Sequence, residues 1–168
     1  MKIMKILSYG SSSIENIQKL EETFEIKLPQ DYREFLLLNN GADITDGIFY
    51  VKDLKEKILM GGFYGIKQET DSKGVGITYQ NKEYGDDIPE KSILIGSDAG
   101  SGWILLVCDG ENDGIWYYDH SYFFEQSTDE LNTYFICETF TEFLEMLETT
   151  KLEDPKPNKP RGGWSVFD

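Results

Sequence analysis

An α+β domain with a mainly antiparallel sheet is the fold class the 168-residue sequence predicts, and three observations predict it. Helical spacing occupies the start and the end, β-branched and aromatic runs separated by Gly, Asn and Asp fill the middle, and few helical stretches fall between those runs. Helices alternating with strands would instead signal a doubly wound parallel sheet.

The elements follow in order. Ser12-Ser13-Ile14-Glu15 reads as a capping box, with Ser12 accepting from a free amide and Glu15 reaching back. Ile14, Ile17, Leu20 and Phe24 then recur at helical spacing. Leu28-Pro29 breaks this helix and opens another, because proline is tolerated in a first turn. Tyr32, Phe35, Leu36 and Leu38 form its expected buried side, and Asn39-Asn40-Gly41 ends it, with Gly41 suited to a left-handed cap. Strands are expected at Gly47–Val51, Val75–Tyr79, Ser92–Ile95, Trp103–Cys108, Ile115–Tyr118 and Tyr134–Cys137, and a short helix at Lys52–Met60. By alternation along its strand, Trp116 or Tyr118 is expected inside and Tyr117 outside. Thr139-Phe140-Thr141-Glu142 is a second capping box, and Phe140, Phe143, Leu144 and Leu147 make the apolar stripe of a closing helix.

Residues 1–150 thus read as one domain. Residues 151–168 hold three of the five prolines and four of the sixteen basic residues and read as a tail. Its Trp164-Ser165-Val166-Phe167 end is apolar enough to dock on the body or on a second copy, and with any exposed sheet edge it makes a homodimer an expectation.

Four segments in this order resemble the SUKH superfamily, which includes the yeast Smi/Knr cell-wall regulators and bacterial immunity proteins. They are Ile14-Glu15-x-Ile17-x-x-Leu20-Glu21 with Leu28-Pro29-x-Asp31-Tyr32-x-x-Phe35-Leu36 and Asn39-Asn40-Gly41; Ile93-Leu94-Ile95-Gly96-Ser97-Asp98-x-Gly100-x-Gly102; Gly114-Ile115-Trp116-x-Tyr118-Asp119-His120; and Phe140-x-x-Phe143-Leu144. The resemblance spans roughly residues 14–148 and stops short of the tail. It implies a sheet flanked by N-terminal helices and a C-terminal helix, no catalytic activity in the immunity members and no fixed catalytic residues to carry over. The immunity members it points to bind and neutralise a cognate protein toxin, often a nuclease; the eukaryotic relatives suggest instead a regulatory interaction module or scaffold.

The charge distribution bears on partners without reference to any family. The formal net charge is −15, from 31 acids and 16 bases. Between Glu83 and Glu148 there are sixteen acids and one base, Lys91, so this span carries the whole net charge. Direct binding to nucleic acid needs clustered Lys and Arg and is disfavoured, and the same sign argues against an anionic membrane surface. No apolar run approaches the roughly 20 residues of a spanning helix, the N-terminus lacks a secretory pattern, and Cys108 and Cys137 sit in apolar runs as reduced thiols; a cytoplasmic location is the expectation.

A nuclease carries a basic cleft for phosphates, and an acidic inhibitor is steered towards it. The expected contact set is therefore the acidic loops between strands: Asp98, Asp109, Glu111, Asp113, Asp119, Tyr122, Glu125, Asp129 and Glu130. Trp116, Tyr118, Tyr122 and Phe123 are candidate aromatic anchors.

Competing chemistries are weaker. Asp109–Gly114 imitates a calcium loop, but position three is Glu111 and position twelve His120, so a hairpin turn is favoured. Gly96–Gly102 lacks the lysine of a phosphate loop. His120 is the only histidine; its sequence neighbour Asp119 should point the other way, and a dyad with Cys137 finds nothing to lower the thiol pKa. Two cysteines and one histidine lack zinc spacing. No catalytic, cofactor or metal residue is expected.

Overall fold

In the computed structural model, which describes residues 3–66 and 75–152, the chain opens with strand β1 (Lys5–Ser8) and helix α1 (Ile14–Phe24). Ser13, not Ser12, caps α1 and accepts from the Asn16 amide, because Ile17 and Leu20 face the core and that phase sets the first turn one residue later. Ile14 consequently stays exposed. Helix α2 (Gln30–Asn39) begins after Pro29 and buries Tyr32, Phe35 and Leu36. Leu38 is left 74% exposed, since it lies off the stripe those three define. Asn40, not Gly41, is the left-handed cap of α2, at φ 49°. Gly41 follows at φ 87°, and a Cβ there would meet the Tyr64–Gly65 backbone at 2.7 Å.

Strands β2 (Ala42–Thr45), β3 (Ile48–Val51) and β4 (Glu56–Phe63) follow. The expected helix at Lys52–Met60 is instead a turn and most of β4. Gly61 and Gly62 explain the difference: a Cβ would lie 2.6 Å from the Asp98 carbonyl oxygen and 2.8 Å from that of Ala42, so neighbouring backbones close on β4 from both sides. Conversely, the strand expected at Val75–Tyr79 is a helix, α3 (Ile77–Tyr84). Its Asn81 side chain donates to the Leu94 carbonyl at 2.9 Å and accepts from the Leu94 amide at 2.7 Å, standing in for a strand neighbour. That tertiary pairing outweighs the β preference of Ile77, Thr78 and Tyr79.

After a 3-10 turn (Gly85–Asp87), β5 (Ser92–Asp98), β6 (Trp103–Val107), β7 (Gly114–Tyr118) and β8 (Thr133–Cys137) form a meander closed by α4 (Phe140–Thr149). Thr139 and Glu142 make the anticipated capping box. The sheet runs β1-β2-β4-β5-β6-β7-β8, with β3 on the free half of β4, and every strand pair is antiparallel.

Helices α2 and α4 cover one face through interlocking rings. Phe35, Phe63 and Phe140 pack with centroids 5.0–5.3 Å apart, and Phe143 touches Phe63 and Phe49. Tyr117 joins this cluster through Phe49 and is 2% exposed, whereas Trp116 and Tyr118 are half-buried on the other face. The expected parity of β7 is thus reversed, because a one-residue choice of register exchanges the two faces. The apolar end of the tail, Trp164–Phe167, lies outside the described residues. Among the described residues no helix is long and apolar enough to cross a membrane.

Candidate functional site

The meander divides the acidic residues between two ends of the sheet. The β6–β7 turn, with Asp109, Glu111 and Asp113, sits at one end. The β5–β6 turn after Asp98 and the long β7–β8 loop, residues 119–132, share the other. The five residues of β7 separate them by about 15 Å. The residues expected to form one contact set therefore form two groups.

At the first end the carboxylates build the turn. Asp109 Oδ1 accepts from the amides of Glu111 and Asn112 at 2.9 and 2.6 Å, and Asp113 Oδ1 from Gly110 at 2.8 Å. The amides of Asn112 and then Glu111 hold the Asp109 carboxyl below its ordinary pKa. Glu111 remains exposed at the tip. The calcium-like spacing is used as a hairpin.

At the second end, two predicted contact residues turn inward. Asp98 accepts from the Tyr117 hydroxyl at 2.7 Å and from the amides of Gly100 and Gly102 at 2.7 and 3.0 Å. Asp119 is fully buried and accepts from the amides of Phe123 and Phe124, at 2.9 and 3.0 Å, and from Ser127 Oγ, which also contacts the Tyr134 hydroxyl. Both carboxylates are taken up by these internal hydrogen bonds, and each organises the loop that follows it.

That organisation has a consequence for the exposed side chains. Tyr122 adopts φ 55°, unusual for a ring residue, and its hydroxyl donates to Asp129 at 2.6 Å. Phe124 turns in against Tyr117 while Phe123 is thrown outward, 74% exposed. Glu125, Asp129 and Glu130 line the same loop in the open, and residues 119–132 contain no Lys or Arg. Phe123 and Phe124 form one wall of a cleft of about 450 Å³; the others are Glu56–Leu59 of β4 and the Asp98–Ser101 turn. The β4 wall escapes sequence reading, because this stretch reads as a helix there. The Phe123-Phe124 pair within a polar loop is the signal that does point to the site.

The groups weighed for catalysis are apart. His120 stacks on Trp103 with centroids 3.7 Å apart, and Asp119 turns away from it to the loop amides. Cys137 pairs with Ile115, at the far end of β7 from His120. Burial, then Asp113 and Asp109, pushes the Cys108 thiol up to about 12; burial, then Glu142, does the same to Cys137. Among the described residues, no three His, Cys, Asp or Glu side chains converge as metal ligands.

The sequence profile of the SMI1 / KNR4 family (SUKH-1) matches residues 12–146. The chain belongs to this family. It is also 30% identical over 159 residues to the SPbeta prophage-derived uncharacterized protein YokK of Bacillus subtilis (strain 168), an alignment covering 84% of this chain and 78% of that protein. All three walls of the cleft fall inside the part of the chain that matches SUKH-1. The cleft is therefore built on the family's domain, from a strand, a turn and a loop of its sheet.

Proposed function

We propose that this SUKH-1 chain is a non-catalytic immunity protein that binds and neutralises a cognate protein toxin with a basic surface, a nuclease being the class that best fits. The observation that carries this reading is the β7–β8 loop. Buried Asp119 holds it in shape, it sets Phe123 outward beside an apolar cleft, and it exposes Glu125, Asp129 and Glu130 with no base among them. A rigid exposed ring supplies contact area at small entropic cost, and surrounding acids steer a basic partner. The similarity to a prophage-derived protein agrees with a role in conflict between genetic elements. Binding to the toxin's phosphate-holding cleft would mask it without bond-making by the immunity protein, and the cytoplasm is where such a toxin reaches its substrate.

The test is co-expression with toxin-domain proteins encoded beside the gene, scored by growth rescue and co-purification. Rescue with a stable complex is expected. A complex with a housekeeping regulator and no rescue by any neighbour would favour the regulatory-scaffold reading instead.

A further inference from the structure

The β3–β4 ladder leaves part of β4 without a neighbour. Tyr50 and Lys57 are directly opposed, yet the Tyr50 amide is directed to Met146 Sδ of α4, at 3.4 Å. Tyr50 and Lys57 are therefore a non-hydrogen-bonded pair, and in an antiparallel ladder the N–H and C=O of such a residue face the opposite side. That side is the cleft. Leu59, two residues on, has the same parity, and its carbonyl does accept there, from the Ala99 amide at 2.9 Å. Strand β5 pairs with β4 only from Met60 onward. The Lys57 amide and carbonyl and the Leu59 amide thus front the cleft with no ladder partner among the described residues.

We propose that this half-edge of β4 and the Phe123 loop together form a strand-docking site, which takes an extended, basic segment of the partner with apolar side chains at alternate positions. The identity of that partner rests on the immunity reading above. A strand laid along Lys57–Leu59 completes the backbone pairing, and every second side chain then projects towards Leu59 and Phe123, which are 45% and 74% exposed. The charges choose the occupant. The Phe123 loop exposes Glu125, Asp129 and Glu130 and contains no Lys or Arg, the Asp98–Gly102 turn contains no base, and Glu56 is exposed on the β4 wall. Among the described residues the one base lining the cleft, Lys57, directs its ammonium to the Lys151 carbonyl beyond α4. A second copy of a chain with net charge −15 would bring like charge to this rim, whereas a Lys- or Arg-bearing strand is attracted to it.

The experiment is an amide NMR titration of the full-length protein with a short synthetic peptide alternating lysine with valine or phenylalanine. The Lys57, Leu59 and Phe123 amides should shift together. Three changes should each weaken binding at least about tenfold: glutamate for lysine in the peptide, N-methylation of its alternate amides, and Phe123→Ser in the protein. The N-methylated peptide leaves the protein untouched, so a folding defect cannot imitate the result. Equal binding of the acidic or N-methylated peptide, or shifts confined to the Asp109–Asp113 end, would overturn the site. So would peptide-free shifts of Lys57 and Leu59 caused by Trp164→Ser, which would make the chain's own terminal segment the occupant. A dimer mass that collapses in Phe123→Ser would likewise give the cleft to a second copy. If wild type protects cells and Phe123→Ser with Leu59→Lys protects equally, the site fails while immunity stands; if no toxin is neutralised yet the peptide binds as described, immunity fails while the site stands.

Discussion

The Tyr117 hydroxyl donates to Asp98 Oδ2 across 2.7 Å, and the other oxygen of that carboxylate accepts from the amides of Gly100 and Gly102. One buried acid thus ties the C-terminal end of β7 to the turn that leads into β6. It also explains Gly102, where a Cβ would run into the Tyr117 ring and hydroxyl.

Asp98→Ala should destabilise by about 2–3 kcal/mol, since it strands a phenol and two amides, and Tyr117→Phe by about 1–2 kcal/mol. Because the two share a bond, the double variant should lose about 1 kcal/mol less than the sum. Urea unfolding of the four proteins checks this; strict additivity would deny the coupling.

Alkaline stability follows from the phenols. Burial, then the bond to Asp98, raises the pKa of Tyr117, and burial raises that of Tyr32, from the ordinary 10.0. The native state then holds the proton more tightly than the unfolded chain, so the stabilisation is complete below pH 10 and declines as pH rises beyond it. Unfolding free energy measured from pH 8 to 11 should fall at the upper end, less steeply in Tyr117→Phe.

The thiols should be inert. With both pushed from 9.0 to about 12, the thiolate fraction at pH 8 is about a thousandth of that of an ordinary cysteine. Native protein should react with a disulfide reagent slowly and reach full rate in denaturant. A fast native phase would contradict the raised pKa of half-buried Cys108 and buried Cys137.

Asp119→Ala should cost about 2–4 kcal/mol, because two amides and the Ser127 hydroxyl lose a charged acceptor inside the fold. Amide exchange at Phe123 and Phe124 should accelerate more than in β6. Phe123→Ala, by contrast, should change stability by no more than about 0.5 kcal/mol, its ring being exposed, and still weaken partner binding.

Charge reversal separates the two acidic ends. Glu125→Lys with Glu130→Lys should slow association with a basic partner about tenfold at low salt, and Glu111→Lys at the opposite end should slow it less. Stopped-flow rates at two ionic strengths make the comparison; a larger effect at Glu111 would move the interface to the β6–β7 turn.

Most elements were legible where period and punctuation agreed. Thr139-Phe140-Thr141-Glu142 announces α4, Pro29 opens α2, and the aromatic and β-branched runs of β5 to β8 lie where their composition puts them. Lys5–Ser8 was not legible, since all four residues of β1 are exposed and no alternation marks them. Lys52–Met60 and Val75–Tyr79 exchanged their expected states: Gly61 and Gly62 serve strand approach, and Asn81 gives α3 a partner in Leu94. Half of the site was visible, in the acids and rings of residues 119–130.

Composition and periodicity alone decide that this chain is an acidic α+β domain with its excess charge in the second half, because each depends on residue identity and near-neighbour spacing; the SUKH resemblance rests on the order of four motifs. Only the folded sheet decides that Asp98 and Asp119 are internal fasteners while Glu125, Asp129 and Glu130 meet solvent, and that half of β4 faces Phe123 across a cleft. Burial and strand pairing are relations between residues far apart in the chain, and a carboxylate in the sequence looks the same whether it will bond to a buried phenol or to water.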